Sequence, residues 1–231
     1  MWAQELSRVF ADVTTYYGRA NYVARLGLWS RFLHAFMPLI ELRPGQRTLD
    51  VCAGTNAIGI ALLRREPTLE VHAIDRGAEM QAVGRQRAAD RGFHIYSVIG
   101  DVHTLPFPDN HFDIVTLQFA SRHLRVRAVF REILRVLKLG GHFYHCDMLW
   151  PANSVVEKLY YAYLRICLTC TGFLFRCDDS ALNCKKYFID TLELFYSVDE
   201  LSELLRELDF YEVSARSVFA GMIGCHRAAK K

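Results

Sequence analysis

A doubly wound α/β fold, with a mostly parallel seven-stranded sheet and helices on both faces, is predicted by three observations. Strand and helix patterns alternate from residue 47 to 149. The first unit, Thr48 to Gly59, runs from an apolar stretch through Asp50 into a loop holding Gly54 and Asn56, then into an apolar helix. Acids close the next two strands: Asp75 follows Val71 to Ile74, and Asp101 follows Ile99 and Gly100. Such alternation packs helices on both sides of a parallel sheet.

The elements follow in order. Residues 4–40 read as two helices with a loop near Gly18 to Asn21, rich in aromatics such as Phe10, Tyr17 and Trp29. Pro44 and Gly45 mark a turn. Strands are expected at 47–51, 69–74, 94–99, 112–118 and 141–148. The helix after the fourth strand is the clearest, because Val126, Val129, Phe130, Ile133, Leu134 and Leu137 fall on one helical face. Gly140 and Gly141 are expected to end it. Segment 151–196 breaks the alternation, with a helical stretch at 154–175 and an irregular piece around Asp178 to Ser180. Ser197 and Glu200 form a capping-box pattern, and Leu201, Leu204, Leu205 and Leu208 follow at helical spacing. Two strands near 210–218 and 220–226 are expected to close the chain as an antiparallel pair. The organisation expected is one domain over 1–231: a helical cap (1–40), a cofactor-binding core (41–150), a helical insert or lid (151–196) and a closing helix and strand pair (197–231).

Bulk properties narrow the function. With 231 residues, 52% of them hydrophobic and 13% aromatic, the chain can bury a sizeable core. A net charge of +3 is too small to argue for nucleic acid. Seven cysteines, an odd number at irregular spacings with no signal peptide ahead of them, read as reduced thiols in a cytoplasmic chain. Cys167 and Cys170 have zinc-like spacing but lie in an apolar helical stretch without a second pair, so a buried structural role is expected. No membrane span is expected: Ile166 to Phe175, bracketed by Arg165 and Arg176, is half the ~20 residues required.

The acids point to a ligand. An acid after the second strand of such a sheet typically binds ribose hydroxyls. Acids at three successive strand ends suit adenosine attached to a cation better than a dinucleotide. The loop agrees: Ala53 and Asn56 flank Gly54 where a pyrophosphate-binding loop needs glycines. The expectation is S-adenosylmethionine, whose sulfonium and amine are both positive. Asn56 can take the left-handed backbone of a glycine, whereas positive φ at Ala53 would cost roughly 1–2 kcal/mol. An ordinary strand–turn–helix connection without a ligand stays open from the loop alone.

Active groups in open α/β sheets come from the carboxyl ends of strands. That selects Arg122 and His123 after the fourth strand and Asp147 at the end of the fifth. Bland readings stay open for each: Arg122 pairing with an exposed acid, His123 capping the helix that begins near 125, Asp147 as a solvated strand end. His142, His145, Cys146 and Asp147 invite a metal. On a strand, however, His142 and Cys146 face one side and His145 and Asp147 the other, so no metal is expected.

Two stretches carry a resemblance. Asp101 to Asp113 resembles the acid–x–x–x–Leu-Pro-Phe-Pro-Asp-x-x-Phe-Asp signature, and Arg135 to Gly141 resembles the Arg-Val-Leu-Lys-Pro-Gly-Gly turn, of class I S-adenosylmethionine methyltransferases, a Rossmann-like fold. Leu139 replaces the proline. More specifically, Val9, Phe10, Val13, Tyr17, Asn21 and Gly27 resemble the opening, and Ala220, Gly221, His226 and Arg227 the closing strand, of the ubiquinone/menaquinone C-methyltransferases, the UbiE/MenG family. The resemblance covers essentially the whole chain. The departures are Ala53 to Ala57 for Gly-Gly-Thr-Gly-Asp, Tyr17-Gly18 for Tyr-Asp, Arg122-His123 for Arg-Asn and Asp147 for Glu.

The resemblance implies methyl transfer to a ring carbon of a prenylated quinol precursor. Cofactor contacts are expected from Asp50, Gly54, Thr55 and Asn56, from Asp75, Arg76 and Met80, from Asp101 and Val102, and from Gln118. Arg122 is expected to position or activate the phenol. His123 has a suitable intrinsic pKa near ~6.5 for general-base work. Tyr17 and Asn21 would close the site from the cap. Segment 151–196 suits a prenyl tail, peripheral contact with the inner membrane, or packing on the core or a homodimer partner. Two alternatives remain: another lipophilic phenol methylated at carbon or oxygen, and a non-catalytic subunit of a quinone-pathway assembly.

Overall fold

The computed structural model describes residues 35–149, 195–218 and 223–231, with Leu33, Lys158, Ala162, Ile166 and Gly221. Tyr17, Asn21, most of the cap, Cys167, Cys170 and nearly all of the insert lie outside the described residues. Seven strands form one sheet in the order β3-β2-β1-β4-β5-β7-β6. The strands are β1 (Arg47–Val51), β2 (Glu70–Asp75), β3 (Tyr96–Ile99), β4 (Phe112–Gln118), β5 (Leu137–Met148), β6 (Phe210–Val218) and β7 (Ile223–Lys230). The first five pair in parallel; β7 runs antiparallel to both β5 and β6. Among the described residues, the α-helices that flank the sheet are α1 (Ala57–Arg65), α2 (Ala78–Ala89), α3 (Val126–Val136) and α4 (Val198–Glu207).

Apolar periodicity explains both layers. On α3, Val126, Val129, Phe130, Ile133 and Val136 are buried; with Leu201, Leu204 and Leu205 of α4 they pack on Leu49, Val115 and Phe143. On the other face, Ile58 and Leu62 of α1 join Phe36, Ile40, Val71 and Tyr144. The capping box at α4 is made: Ser197 Oγ accepts the Glu200 N–H at 3.3 Å, and Glu200 accepts the Ser197 N–H at 2.8 Å.

Three boundaries differ from the pattern. α3 stops at Val136, and Leu137 already pairs with Phe112 of β4. Gly140 and Gly141 therefore do not end the helix. They shape an irregularity inside β5: Gly140 has φ +73°, a Cβ on Gly141 would lie 2.9 Å from the Lys138 carbonyl, and the register shifts between Phe112 and Ile114. β7 lies at Ile223–Lys230, later than 220–226, because its pairing with β5 and β6 continues to Ala229 and Lys230. β3 begins at Tyr96, opposite His72.

The two signature stretches clasp each other. Arg135 of α3 donates to the Leu105 and Phe107 carbonyls at 2.9 and 2.8 Å and to Asp109 at 2.7 Å. Glu132, bonded to the same guanidinium, accepts the Leu105 N–H at 2.8 Å. The Leu-Pro-Phe-Pro-Asp loop is thus fastened to the helix that precedes β5.

Candidate active site

The strand order reverses direction between β1 and β4, which places a ligand crevice outside their carboxyl ends. Asp50 and Thr116 are register partners across this junction, and the Thr116 hydroxyl donates to Asp50 at 2.7 Å. Asp50 is buried inside β1, one residue from its end. Burial pushes its carboxyl up to about 7; the Thr116 bond opposes this, the Asp75 charge adds to it, and the Gly59 N–H opposes it.

Strain gathers at the same ends. Cys52 and Asn56, after β1, have φ +56°, and Phe119, after β4, has φ +51°. Each non-glycine residue held there costs on the order of 1–3 kcal/mol and marks functional sites more often than ordinary loops. Asn56 takes the left-handed backbone expected of it. Ala53 does not; the strained neighbour is Cys52. Burial, then the charges of Asp75 and Asp50, push the Cys52 thiol up; Arg76 opposes, and Asp147 adds a further push. The ends of β1, β2 and β5 therefore converge around this residue.

The loop is held from several sides. Asp75 accepts the Gly54 N–H on one oxygen and the Gly77 N–H on the other, both at 2.8 Å. Gln81 of α2 donates to the Gly54 carbonyl at 2.8 Å and to Asn56 at 3.1 Å, and itself accepts from Ser97. Met80 is buried against Gly54: a Cβ there would sit 3.2 Å from its Cε. Arg87 donates to Thr55 at 3.2 Å. On α2, Gly84 lets the loop approach, since a Cβ would lie 2.7 Å from Asn56 Nδ2 and 2.8 Å from the Thr55 carbonyl carbon.

Asp101 stands just past β3 and is exposed, beside buried Val102. It accepts from Arg76, from the His103 N–H at 2.9 Å and from the His103 ring at 2.6 Å. Desolvation raises its pKa, but the His103 bonds and the Arg76 bond and charge outweigh it and hold the carboxyl well below its usual range. Arg76 and Asp101 are thus paired with each other.

Arg122, His123 and Asp147 come together. Ser121–His123 form a 3₁₀ turn after β4, and Arg122 donates to Asp147 at 2.9 Å. Arg122 thus pairs with a buried acid at the end of β5, and Asp147 is no solvated strand end. α3 starts at Val126 with Arg125 as its N-cap and no side-chain cap bond, so His123 does not cap it. Burial, then the Arg122 charge, push the His123 pKa down to about 4, with Asp147 opposing. That is well below the range its intrinsic value offered for base work.

Sequence reasoning missed Gln81, Gly84, Thr116, Ser121 and His103. A glycine inside a helical pattern was the one available signal, for Gly84. Among the described residues, no group of three or more His, Cys, Asp or Glu side chains is placed to hold a metal. His145 and Asp147 do share one side of β5, bridged by Ser121.

S-adenosylmethionine fits what these residues leave open. Asp75 retains lone pairs beyond its two backbone bonds. The Gly54 backbone forms a cradle that a Cβ would crowd, and Gln118 Nε2 at the end of β4 is buried without a partner among the described residues.

Comparison with known proteins agrees with this geometry. The model of the ubiE/COQ5 methyltransferase family matches residues 2–230. The chain is 32% identical over 235 residues to the ubiquinone/menaquinone biosynthesis C-methyltransferase UbiE of Pseudomonas putida, covering 99% of this chain and 90% of that one. Among solved structures, a SAM-dependent methyltransferase and possible histamine N-methyltransferase from Thermotoga maritima superposes with TM-score 0.66 at 19% identity, covering 97% of this chain and 99% of that one. The Haemonchus contortus phosphoethanolamine N-methyltransferase 2 in complex with S-adenosyl-L-methionine also gives TM-score 0.66, at 15% identity, over 97% of this chain and 60% of that one.

Proposed function

Because the chain belongs to the ubiE/COQ5 methyltransferase family and is an S-adenosylmethionine-dependent methyltransferase, we propose that it methylates a ring carbon of a prenylated quinol precursor. The observation that carries the reading is the Arg122–Asp147 pair beside the strained ends of β1 and β4. The cofactor supplies an electrophilic methyl group on sulfur. Asp75, the Gly54 backbone, Met80 and Gln118 would hold it. Asp50 and Asn56 shape the loop from beneath, and Thr55 is steadied by Arg87. Arg76, Asp101 and Val102 would border the adenine side.

Methyl transfer needs alignment and exclusion of water more than covalent help. A guanidinium is a poor base, so the role of Arg122 is to stabilise phenolate character on the acceptor, and Asp147 orients it. His123 is neutral at physiological pH. It accepts a hydrogen bond from the acceptor hydroxyl, while its low pKa makes it a poor store for the departing proton, which passes to water. Tyr17 and Asn21 would cover the site from the cap. The lid over 151–196, with contact to a membrane surface or a second copy of the chain, belongs to the same proposal. Among the described residues no helix is long and apolar enough to cross a membrane.

The test is methyl transfer from S-adenosylmethionine to a short-chain demethylated quinol. Wild type should be active, and Arg122→Gln should lose on the order of 100-fold in kcat with cofactor binding retained. Since breaking a buried pair costs about 3–5 kcal/mol, cooperative melting of the variant is checked alongside. Transfer to non-quinone phenols alone would overturn the acceptor; full activity in a folded Arg122→Gln chain would overturn the site.

A further inference from the structure

The Arg122–Asp147 pair is the head of a longer buried column. Asp147 accepts four bonds. Arg122 at 2.9 Å and the Met148 N–H at 2.7 Å reach one oxygen; the Ser121 N–H at 2.9 Å and the Ser121 hydroxyl reach the other. Ser121 Oγ also lies 2.8 Å from His145 Nε2. His145 Nδ1 faces His226 Nδ1 at 3.5 Å, and His226 Nε2 lies 3.1 Å from the Val198 carbonyl. Ser121, His145, Asp147 and His226 are all buried. The column joins the turn after β4 to β5, β7 and the start of α4.

Counting protons fixes its direction. A carboxylate is the strongest acceptor in the column, so the single Ser121 hydroxyl proton goes to Asp147. Ser121 Oγ can then only accept from His145, which must carry its proton on Nε2. His226 must carry its proton on Nε2 as well, because a carbonyl only accepts; the two neutral rings then meet Nδ1 to Nδ1 with no proton between them, so their 3.5 Å approach is a packing contact and not a hydrogen bond.

We propose that Ser121 is a positioning residue for Asp147, and through it for Arg122, and that His145 in its Nε2–H form locks the Ser121 hydroxyl in that role. This rests on the reading of Arg122 as the group that faces the acceptor and of Asp147 as the acid that orients it. Asp147 needs an exact angle to present Arg122, and a carboxylate with one oxygen held by both the N–H and the hydroxyl of Ser121, and the other by Arg122 and the Met148 N–H, cannot rotate freely. Burial supports neutral rings throughout: it pushes both histidines down, His145 further through the neighbouring His226, and His226 less because of the Val198 bond and the Asp199 charge.

The experiment has two arms on the full chain. In wild type, long-range ¹H–¹⁵N correlation of the histidine rings, with His145→Gln to identify the signal, should show His145 as the Nε2–H tautomer. An Nδ1–H tautomer would mean that Ser121 donates to His145 instead, and overturns the proposal. In the transfer assay, Ser121→Ala should lower kcat on the order of tenfold to a hundredfold, with the KM for S-adenosylmethionine unchanged. Ser121→Thr should restore most of the loss, as a mere packing role would not. Wild-type kcat in a folded Ser121→Ala chain also overturns it. If wild type itself transfers nothing to the quinol, the reading of the site fails, and the tautomer measurement decides the column by itself.

Discussion

Asp50 and His123 pull the stability of this chain in opposite directions as pH changes. With its pKa raised to about 7, Asp50 keeps in the folded state a proton that the unfolded chain has lost above about 4. Its contribution is therefore fully present below about 4 and falls as pH rises through 7, by on the order of 4 kcal/mol. His123, lowered to about 4, is neutral in the fold while the unfolded chain is still protonated below about 6.5. Its contribution is present above 6.5 and is lost as pH falls through 4, by on the order of 3 kcal/mol. Where the two windows overlap, from about 4 to about 6.5, the slopes nearly cancel. Asp50→Asn keeps an acceptor for Thr116 and cannot ionise, so it should gain stability over wild type steadily from pH 4.5 to 7 and level off above. Urea unfolding of both chains across that range measures this difference. A difference that does not change with pH would mean that Asp50 ionises freely in the fold.

The contact between α2 and the loop after β1 depends on the absence of a side chain at Gly84. Its missing Cβ would meet the Thr55 backbone, which cannot swing aside, and the Asn56 side-chain amide, which is buried and bonded to Gln81. Gly84→Ala gains helix propensity of at most about 1 kcal/mol but overpacks this contact at a typical cost of about 1–3 kcal/mol. It should lower the melting temperature and weaken S-adenosylmethionine binding together, by thermal denaturation and calorimetric titration. An unchanged affinity would separate the loop from the cofactor. This element shows what the sequence made legible. The period of α3 and the Ser197 capping box are local, and both were readable within one or two turns of chain. The acids at the ends of β2 and β3 were readable because strand ends are marked by local composition. The glycines after α3 misled, because Leu137 leaves the helix to pair with Phe112, a partner distant in sequence. Gln81, Thr116 and Ser121 were invisible for the same reason. Each is an ordinary polar residue whose meaning lies in a partner on another element: Asn56, Asp50 and Asp147 in turn.

The sheet as a whole is completed by its last strand. β6 precedes β7 in the chain, yet its strand pairing reaches the parallel part only through β7, which inserts between β5 and β6. β7 carries His226 into the buried column and Cys225 against Cys146, and Lys230 bonds the Leu137 and Arg135 carbonyls at 2.9 and 3.1 Å. Local contacts alone therefore cannot finish the fold; pairing β7 with β5 closes a loop of some 80 residues before any of its bonds form. A chain ending at residue 222 would leave β6 without its described neighbour and uncover the β5 edge together with buried Phe143 and Cys146. It should lose the cooperative thermal transition of the full chain, followed by circular dichroism, along with S-adenosylmethionine binding, even though all the cofactor-loop residues remain. A truncated chain that still melted cooperatively and bound the cofactor would show that the parallel core, β1 to β5, stands without its antiparallel border.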